Sequence, residues 1–295
     1  MVRDEEQSID PHAVTRAGTG GASGAARPKE EAPGGGELPA GTYLGKFRVI
    51  APLGAGGMGV VYEAEDEVLD RRVAVKLMRP EVANSAGTER LLREARAAAR
   101  LSHPNVVPVY EVGASPHGPF IAMERIDGPS LRAWIAEAPR SWRETLEAFC
   151  DAGRGLAAAH AAGLVHRDFK PDNAFIGSDG RVRVGDFGLV AAVGAAGAAG
   201  GGEPARTLEP DTLQRAGSAS GTPLYMAPEQ HRGESADARG DQFSFCLALY
   251  EALYGQHPFP VESVAELVAA YDQERAPARP PSSEVPSRVY ELLAR

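Results

Sequence analysis

Leu164-Val165-His166-Arg167-Asp168-Phe169-Lys170-Pro171-Asp172-Asn173-Ala174-Phe175-Ile176 runs through a turn at Ser178-Asp179-Gly180 into Arg181-Val182-Arg183-Val184-Gly185-Asp186-Phe187-Gly188. The reading of this stretch decides the fold. Upstream, residues 142–162 read as a helix, with Leu146, Phe149, Cys150, Gly153, Ala157 and His160 at helical spacing. That spacing makes Cys150 and His160 packing residues rather than ligands, and Gly163 ends the helix. Downstream, Gly240 to Tyr254 reads as a helix ending at Gly255, and residues 261–275 as a second, amphipathic one.

Toward the N-terminus the pattern changes to period two. Phe47, Val49 and Ala51 alternate with Lys46, Arg48 and Ile50; Val61-Tyr62-Glu63-Ala64-Glu65 and Arg72-Val73-Ala74-Val75-Lys76-Leu77-Met78 follow. These form a strand meander closed by turns, one of them Leu69-Asp70-Arg71. Between the first two strands lies Leu53-Gly54-Ala55-Gly56-Gly57-Met58-Gly59-Val60-Val61. Gly54, Gly56 and Gly59 make G-x-G-x-x-G, weak evidence alone. A dinucleotide fingerprint needs a helix directly after the glycines, and a Walker A loop needs Gly-Lys-Ser/Thr; neither follows here. A hairpin over a nucleotide needs flanking strands and a lysine on the next strand, which Lys76 satisfies. A glycine hairpin with no ligand also remains open at this point. Without a Cβ, such a turn can bring backbone N–H groups up to phosphate oxygens. A lysine within an apolar strand is costly unless a carboxylate pairs with it. Residues 88–101 read as a helix with Leu91, Ala95 and Ala98 on one stripe, and Glu94 beside that stripe is expected to pair with Lys76 rather than, at the surface, with Arg90 or Arg93.

Taken in order, these motifs resemble the catalytic domain of bacterial (Hanks-type) serine/threonine protein kinases, over about residues 43 to 295. The resemblance implies an α+β, two-lobed fold: a small β-rich N-lobe with one key helix (43–126) and a larger, mostly helical C-lobe (127–295). It implies ATP and Mg²⁺ as cofactors and position-by-position roles. Asp168 would accept the proton of the substrate hydroxyl, Lys170 would neutralise the transferred phosphoryl group, and Asn173 and Asp186 would hold Mg²⁺ through hard oxygen ligands. Residues 53–61 and Lys76, braced by Glu94, would cradle the phosphates. Adenine would lie between Val61 and Ala74 on one side and Phe175 on the other, with Met123 limiting the back of the pocket and the backbone of Glu124 and Ile126 pairing with the adenine edge. His166 and Phe187 would pack beneath the site, and Asp241 would accept backbone N–H bonds from the His166-Arg167 turn.

Lys170 after Asp168, with Thr222-Pro223 before Tyr225-Met226-Ala227-Pro228-Glu229, resembles Ser/Thr rather than tyrosine kinases. Thr222 would hydrogen-bond Asp168 and Lys170. The segment from Gly188 to Gly221 is long and Ala/Gly-rich for an activation loop. It carries Gln214 and Ala216 where relatives tend to have phosphorylated threonines, leaving Thr212, Ser218 and Ser220, so weak or unusual loop control is expected. The family continues past the helix that begins at Ser287 and supplies an arginine for the glutamate of Ala-Pro-Glu, here Glu229. No matching arginine follows, so the C-lobe reads as incomplete, and the chain as C-terminally truncated.

Composition is that of a globular protein: 43% apolar and 24% charged residues with a net charge of −9. An acidic chain is a poor general nucleic-acid binder, and two distant cysteines fit neither a zinc ribbon nor a disulfide scaffold. No stretch reads as a membrane span or secretory signal, giving a cytoplasmic expectation. Residues 1–40 hold seven Gly and four Pro, so 1–42 is expected to be a disordered tail. The function expected is transfer of the ATP γ-phosphoryl group to Ser/Thr hydroxyls of proteins, including the chain itself, in signal transduction. The alternatives are a non-catalytic ATP-binding pseudokinase scaffold or inactive fragment, and a small-molecule phosphotransferase on the same fold.

Overall fold

The structure, a computed structural model, describes residues 37–57, 59–79, 94–187, 222–261, 263–273, 277, 279–280 and 283–294. The chain divides into units 1–36 and 37–295, and every described residue belongs to the second. The expectations for the tail through Gly36, Met58, Leu91, Arg90, Arg93 and the 188–221 segment with Thr212, Gln214, Ala216, Ser218 and Ser220 lie outside the described residues, as does the side chain of Thr222.

Six antiparallel strands form the first layer: β1 (Tyr43–Leu44), β2 (Phe47–Gly56), β3 (Gly59–Asp66), β4 (Arg71–Met78), β5 (Val109–Ser115) and β6 (Gly118–Glu124). Their order is β1-β2-β3-β4-β6-β5. The period-two pattern of β2 and β3 delivers Phe47, Val49, Tyr62 and Ala64 to one face, where Val73, Val75, Phe120 and Ala122 complete a core. Each large side chain buried there contributes about 1.5–3 kcal/mol, and Phe47 meets Phe120 edge-on with centroids 5.9 Å apart. On the other face Met78 and Ile121 pack on Ala95 of α1, helical over residues 94–98.

This core reaches further back than the sequence suggested. Leu38 is buried in it, its N–H donates to the Tyr62 hydroxyl (2.9 Å), and Gly41 N–H donates to the Val49 carbonyl (2.8 Å). Leu38 and Gly41 are therefore tied to the sheet, although Glu37, Pro39, Ala40 and Gly41 stay exposed, and the folded unit starts at Glu37 rather than after residue 42.

The second part is helical: α2 (Leu131–Glu137), α3 (Trp142–Ala161), α4 (Pro228–His231), α5 (Ala238–Tyr254), α6 (Val264–Asp272) and α7 (Ser287–Leu293). A short hairpin, β7 (Ala174–Ile176) and β8 (Val182–Val184), lies on α3. A capping box of Ser141 and Glu144 starts α3, and α5 ends where Gly255 turns left-handed at φ 71°. α6 is shorter than 261–275 because Ser263 caps its start, accepting from Glu266 N–H.

The stripe on α3 is also corrected. Its buried residues are Thr145, Phe149, Ala152, Gly155, Leu156 and Ala159, while Cys150 is exposed. One residue of rotation, about 100°, separates that face from the expected one. Gly155 explains the choice: a Cβ there would stand 2.2 Å from the carbonyl oxygen of Asn105, so α3 turns its smallest residue to the 103–107 segment. Among the described residues no helix is long and apolar enough to cross a membrane.

Candidate active site

The turn at 166–168 is built by strain and then held. Arg167 has φ 64° and Asp186 φ 61°, left-handed values that a non-glycine residue adopts at a cost of about 1–3 kcal/mol. Fully buried Asp241, in the first turn of α5, accepts from His166 N–H (2.7 Å) and Arg167 N–H (2.6 Å), as the resemblance implied. It also takes a third contact from His160 Nε2 (2.7 Å), so His160 is a polar strut rather than a packing residue. The Gln230 side chain donates to the Arg167 carbonyl (2.8 Å). His166 is fully buried, sits against Phe187 at 4.8 Å between centroids, and contacts the Gly185 carbonyl through Nε2 at 2.8 Å.

Above this base stand the polar groups. Lys170 Nζ lies 3.1 Å from Asp168 Oδ2. Asn173 Nδ2 donates to the Asp168 carbonyl (2.8 Å) and to its carboxylate (3.3 Å). The β7–β8 hairpin brings Asp186 alongside, since Gly185 N–H donates to the Asn173 carbonyl (2.9 Å). From the sheet, Lys76 reaches across: its Nζ is 2.9 Å from Asp186 Oδ2. Burial opposes ionisation of Asp186, but the Lys76 ammonium, with His166 and Lys170 beyond it, outweighs that and holds the carboxyl below its ordinary value.

One expected pairing differs. Glu94 is bound to Arg167, Oε1 to Nη1 at 2.9 Å, while the ion pair of Lys76 is made with Asp186. The reason is reach and charge. Arg167 lies within reach of Glu94, and the carboxylate of Asp186 already satisfies Lys76.

The glycine hairpin pairs Gly56 with Gly59 and Val61 with Lys76 on the next strand. Its glycines have two different reasons. A Cβ at Gly59 would fall 2.1 Å from the Leu77 carbonyl, so close strand packing demands it. At Gly54, Gly56 and Gly57 a Cβ would meet nothing within 4 Å, which leaves open space beside those three residues. Ala74 is buried opposite Met123 in register, and Met123 borders a small apolar recess with Ala95, Val107, Ile121 and Phe187. Glu124 ends β6 with its N–H given to the Pro108 carbonyl (2.9 Å). Half-buried Ile126 follows, and Phe175 lies half-buried on β7, bridged to Ser130.

The donor set suits a hard divalent cation. It offers an ionised carboxylate at Asp186 and an amide at Asn173 whose nitrogen is spent on Asp168, which leaves its oxygen as the ligating end. Sequence reading missed a second polar cluster beside this one. Arg132 Nε donates to Asp172 Oδ2 (2.8 Å), its Nη2 donates to the hydroxyl of buried Tyr225, and that hydroxyl donates to Glu251. Residues 26 to 93 positions apart in sequence meet there, and no spacing rule could have joined them.

Comparison with known proteins fits this geometry. The protein kinase domain family matches residues 47–295. The chain is 37% identical over 245 residues to the probable serine/threonine-protein kinase pknA2 of Bifidobacterium longum, covering 81% of this chain and 30% of that protein. It is 35% identical over 259 residues to the serine/threonine-protein kinase PknA of Mycobacterium tuberculosis, covering 85% and 56%. The chain thus spans roughly a third to a half of these relatives' length. A crystal structure of a point mutant of the Mycobacterium tuberculosis PknI kinase domain superposes with a TM-score of 0.58 at 28% identity, over 75% of this chain and 79% of that one.

Proposed function

Because the chain belongs to the protein kinase domain family, we propose that it transfers the γ-phosphoryl group of ATP to Ser/Thr hydroxyls of proteins, itself included. The observation that supports this is the convergence of Lys76, Asp168, Lys170, Asn173 and Asp186 on one cleft between the sheet and the helices. The lobes divide near residue 126, and the reaction is taken to occur in the cytoplasm.

A loose phosphoryl transition state needs positioning and charge compensation more than covalent help. Asp168, oriented by Asn173 Nδ2, takes the proton of the acceptor hydroxyl and aims its oxygen. Lys170, 3.1 Å from Asp168, offsets negative charge developing on the transferred group. Lys76 holds the α/β-phosphates, and the hairpin backbone from Leu53 to Val61 covers them. Asp186 and Asn173 would hold Mg²⁺, which would supply compensation for the phosphate charge. Val61, Ala74 and Phe175 sandwich the adenine, while backbone groups of Glu124 and Ile126 read its edge. Lys170 with the Thr222-Pro223 segment selects an aliphatic hydroxyl.

The test incubates the chain with labelled ATP and Mg²⁺, beside Asp168→Asn, and offers a generic basic protein and a sugar alcohol as acceptors. Label on protein in the wild type and its loss in Asp168→Asn is the expected result. Equal background in both, with ATP still bound, would establish a scaffold instead. Label on the sugar alcohol alone would establish a small-molecule phosphotransferase.

A further inference from the structure

The cluster of Arg132, Asp172, Tyr225 and Glu251 lies outside the nucleotide machinery yet is wired to it. Arg132 stands in the first turn of α2, directly behind the segment that links the two parts of the fold. Its planar fork has donors in two directions, and both are used. One goes to Asp172, which precedes Asn173, the residue that fixes Asp168. The other goes to Tyr225, the last residue of the 3₁₀ turn Thr222–Tyr225. That turn is anchored from behind: Ser244 Oγ donates to the Tyr225 carbonyl (2.6 Å), His257 Nε2 contacts the Leu224 carbonyl (3.0 Å), and the Tyr225 hydroxyl donates to Glu251 on α5. Burial pushes the Tyr225 hydroxyl's pKa up, and Glu251 adds to that, so the phenol stays a donor.

We infer that Arg132 is a positioning residue that sets the distance between the acceptor-binding turn at 222–225 and Asp168, and that Tyr225 is its partner in this. The inference rests on the functional reading above. It follows from the wiring: Arg132 hydrogen-bonds both the loop carrying Asp168 and that turn. Neither Arg132 nor Tyr225 is among the groups assigned to nucleotide or metal, so their loss acts on the acceptor and spares ATP.

The experiment measures steady-state transfer to a basic protein acceptor for wild type, Arg132→Met, Arg132→Lys and Tyr225→Phe, varying acceptor and ATP separately, with a thermal melt of each. Misplacing a reacting group by about an ångström costs up to about a hundredfold. Arg132→Met and Tyr225→Phe are therefore expected to lower kcat/KM for the acceptor about ten- to a hundredfold, with KM for ATP within about twofold of wild type. Arg132→Lys, one charge without the fork, should fall between. Acceptor and ATP parameters that worsen together, or neither moving in folded Tyr225→Phe, would overturn the inference. Absence of transfer by the wild type would instead remove the functional reading, and this inference with it.

Discussion

Lys76 and Asp186 form a 2.9 Å ion pair that ties strand β4 to the loop after β8, with the lysine side chain 9% exposed and the carboxylate 28% exposed. Lys76 is thus compensated, and the cost of placing an ammonium in an apolar strand is met from the other side of the cleft rather than from α1. Removing one partner of a fully buried pair costs about 3–5 kcal/mol; with Asp186 in partial contact with water, Lys76→Met should cost about 1–3 kcal/mol by the same principle. It should also reduce phosphoryl transfer at least about a hundredfold, the scale of a lost charge-stabilising donor. Denaturant melts and labelled-ATP transfer assays check the two numbers separately.

Glu94 offers a cleaner discrimination, because two pairings compete for it. A double-mutant cycle on Glu94→Gln and Arg167→Met should give a coupling of about 0.5–3 kcal/mol in the nucleotide-free protein. The same cycle on Glu94→Gln and Lys76→Met should give less than about 0.5 kcal/mol. Coupling of Glu94 to Lys76 alone would contradict the pairing observed here.

Gly155→Ala separates helix propensity from packing. Within an exposed helix the change stabilises by about 1 kcal/mol. Here the new methyl would meet the Asn105 carbonyl at 2.2 Å, backbone against which α3 lies, so overpacking of about 1–3 kcal/mol should dominate. A melting temperature at or above wild type would refute it.

His231 supplies a pH dependence with a definite sign. Burial holds its imidazole below the ordinary 6.5, and a hydrogen bond to the Pro223 carbonyl offsets this only in part. The folded state therefore binds fewer protons than the unfolded one in this window. Its contribution to stability is whole above about pH 6.5 and is lost progressively as pH falls from there toward the lower folded value. Melts of wild type and His231→Gln from pH 8 to 5 should diverge only below about 6.5, with the wild type falling more steeply.

Much of this architecture was legible in short-range pattern. Alternation marked the strands around Phe47, Tyr62 and Val75, and Gly163 and Gly255 marked helix ends, because these features arise from neighbours a few positions apart. The reading failed where the outcome depended on a surface that arrives from elsewhere. The α3 stripe was rotated by one residue, since it was Asn105 that selected which small side chain faced inward. Leu38 was assigned to the tail because its pocket beneath Tyr62 exists only in the folded sheet.

The chemical identities at the cleft, a lysine on a strand and carboxylates in an ordered series of loops, could be read from residue order alone, since backbone periodicity and turn chemistry are local. Which cation each carboxylate holds could not. Lys76, Arg167 and Arg132 are interchangeable to any rule of spacing, and Asp186, Glu94 and Asp172 equally so. Their pairing depends on distances across the molecule, where a shift of a few ångströms reverses the electrostatic preference.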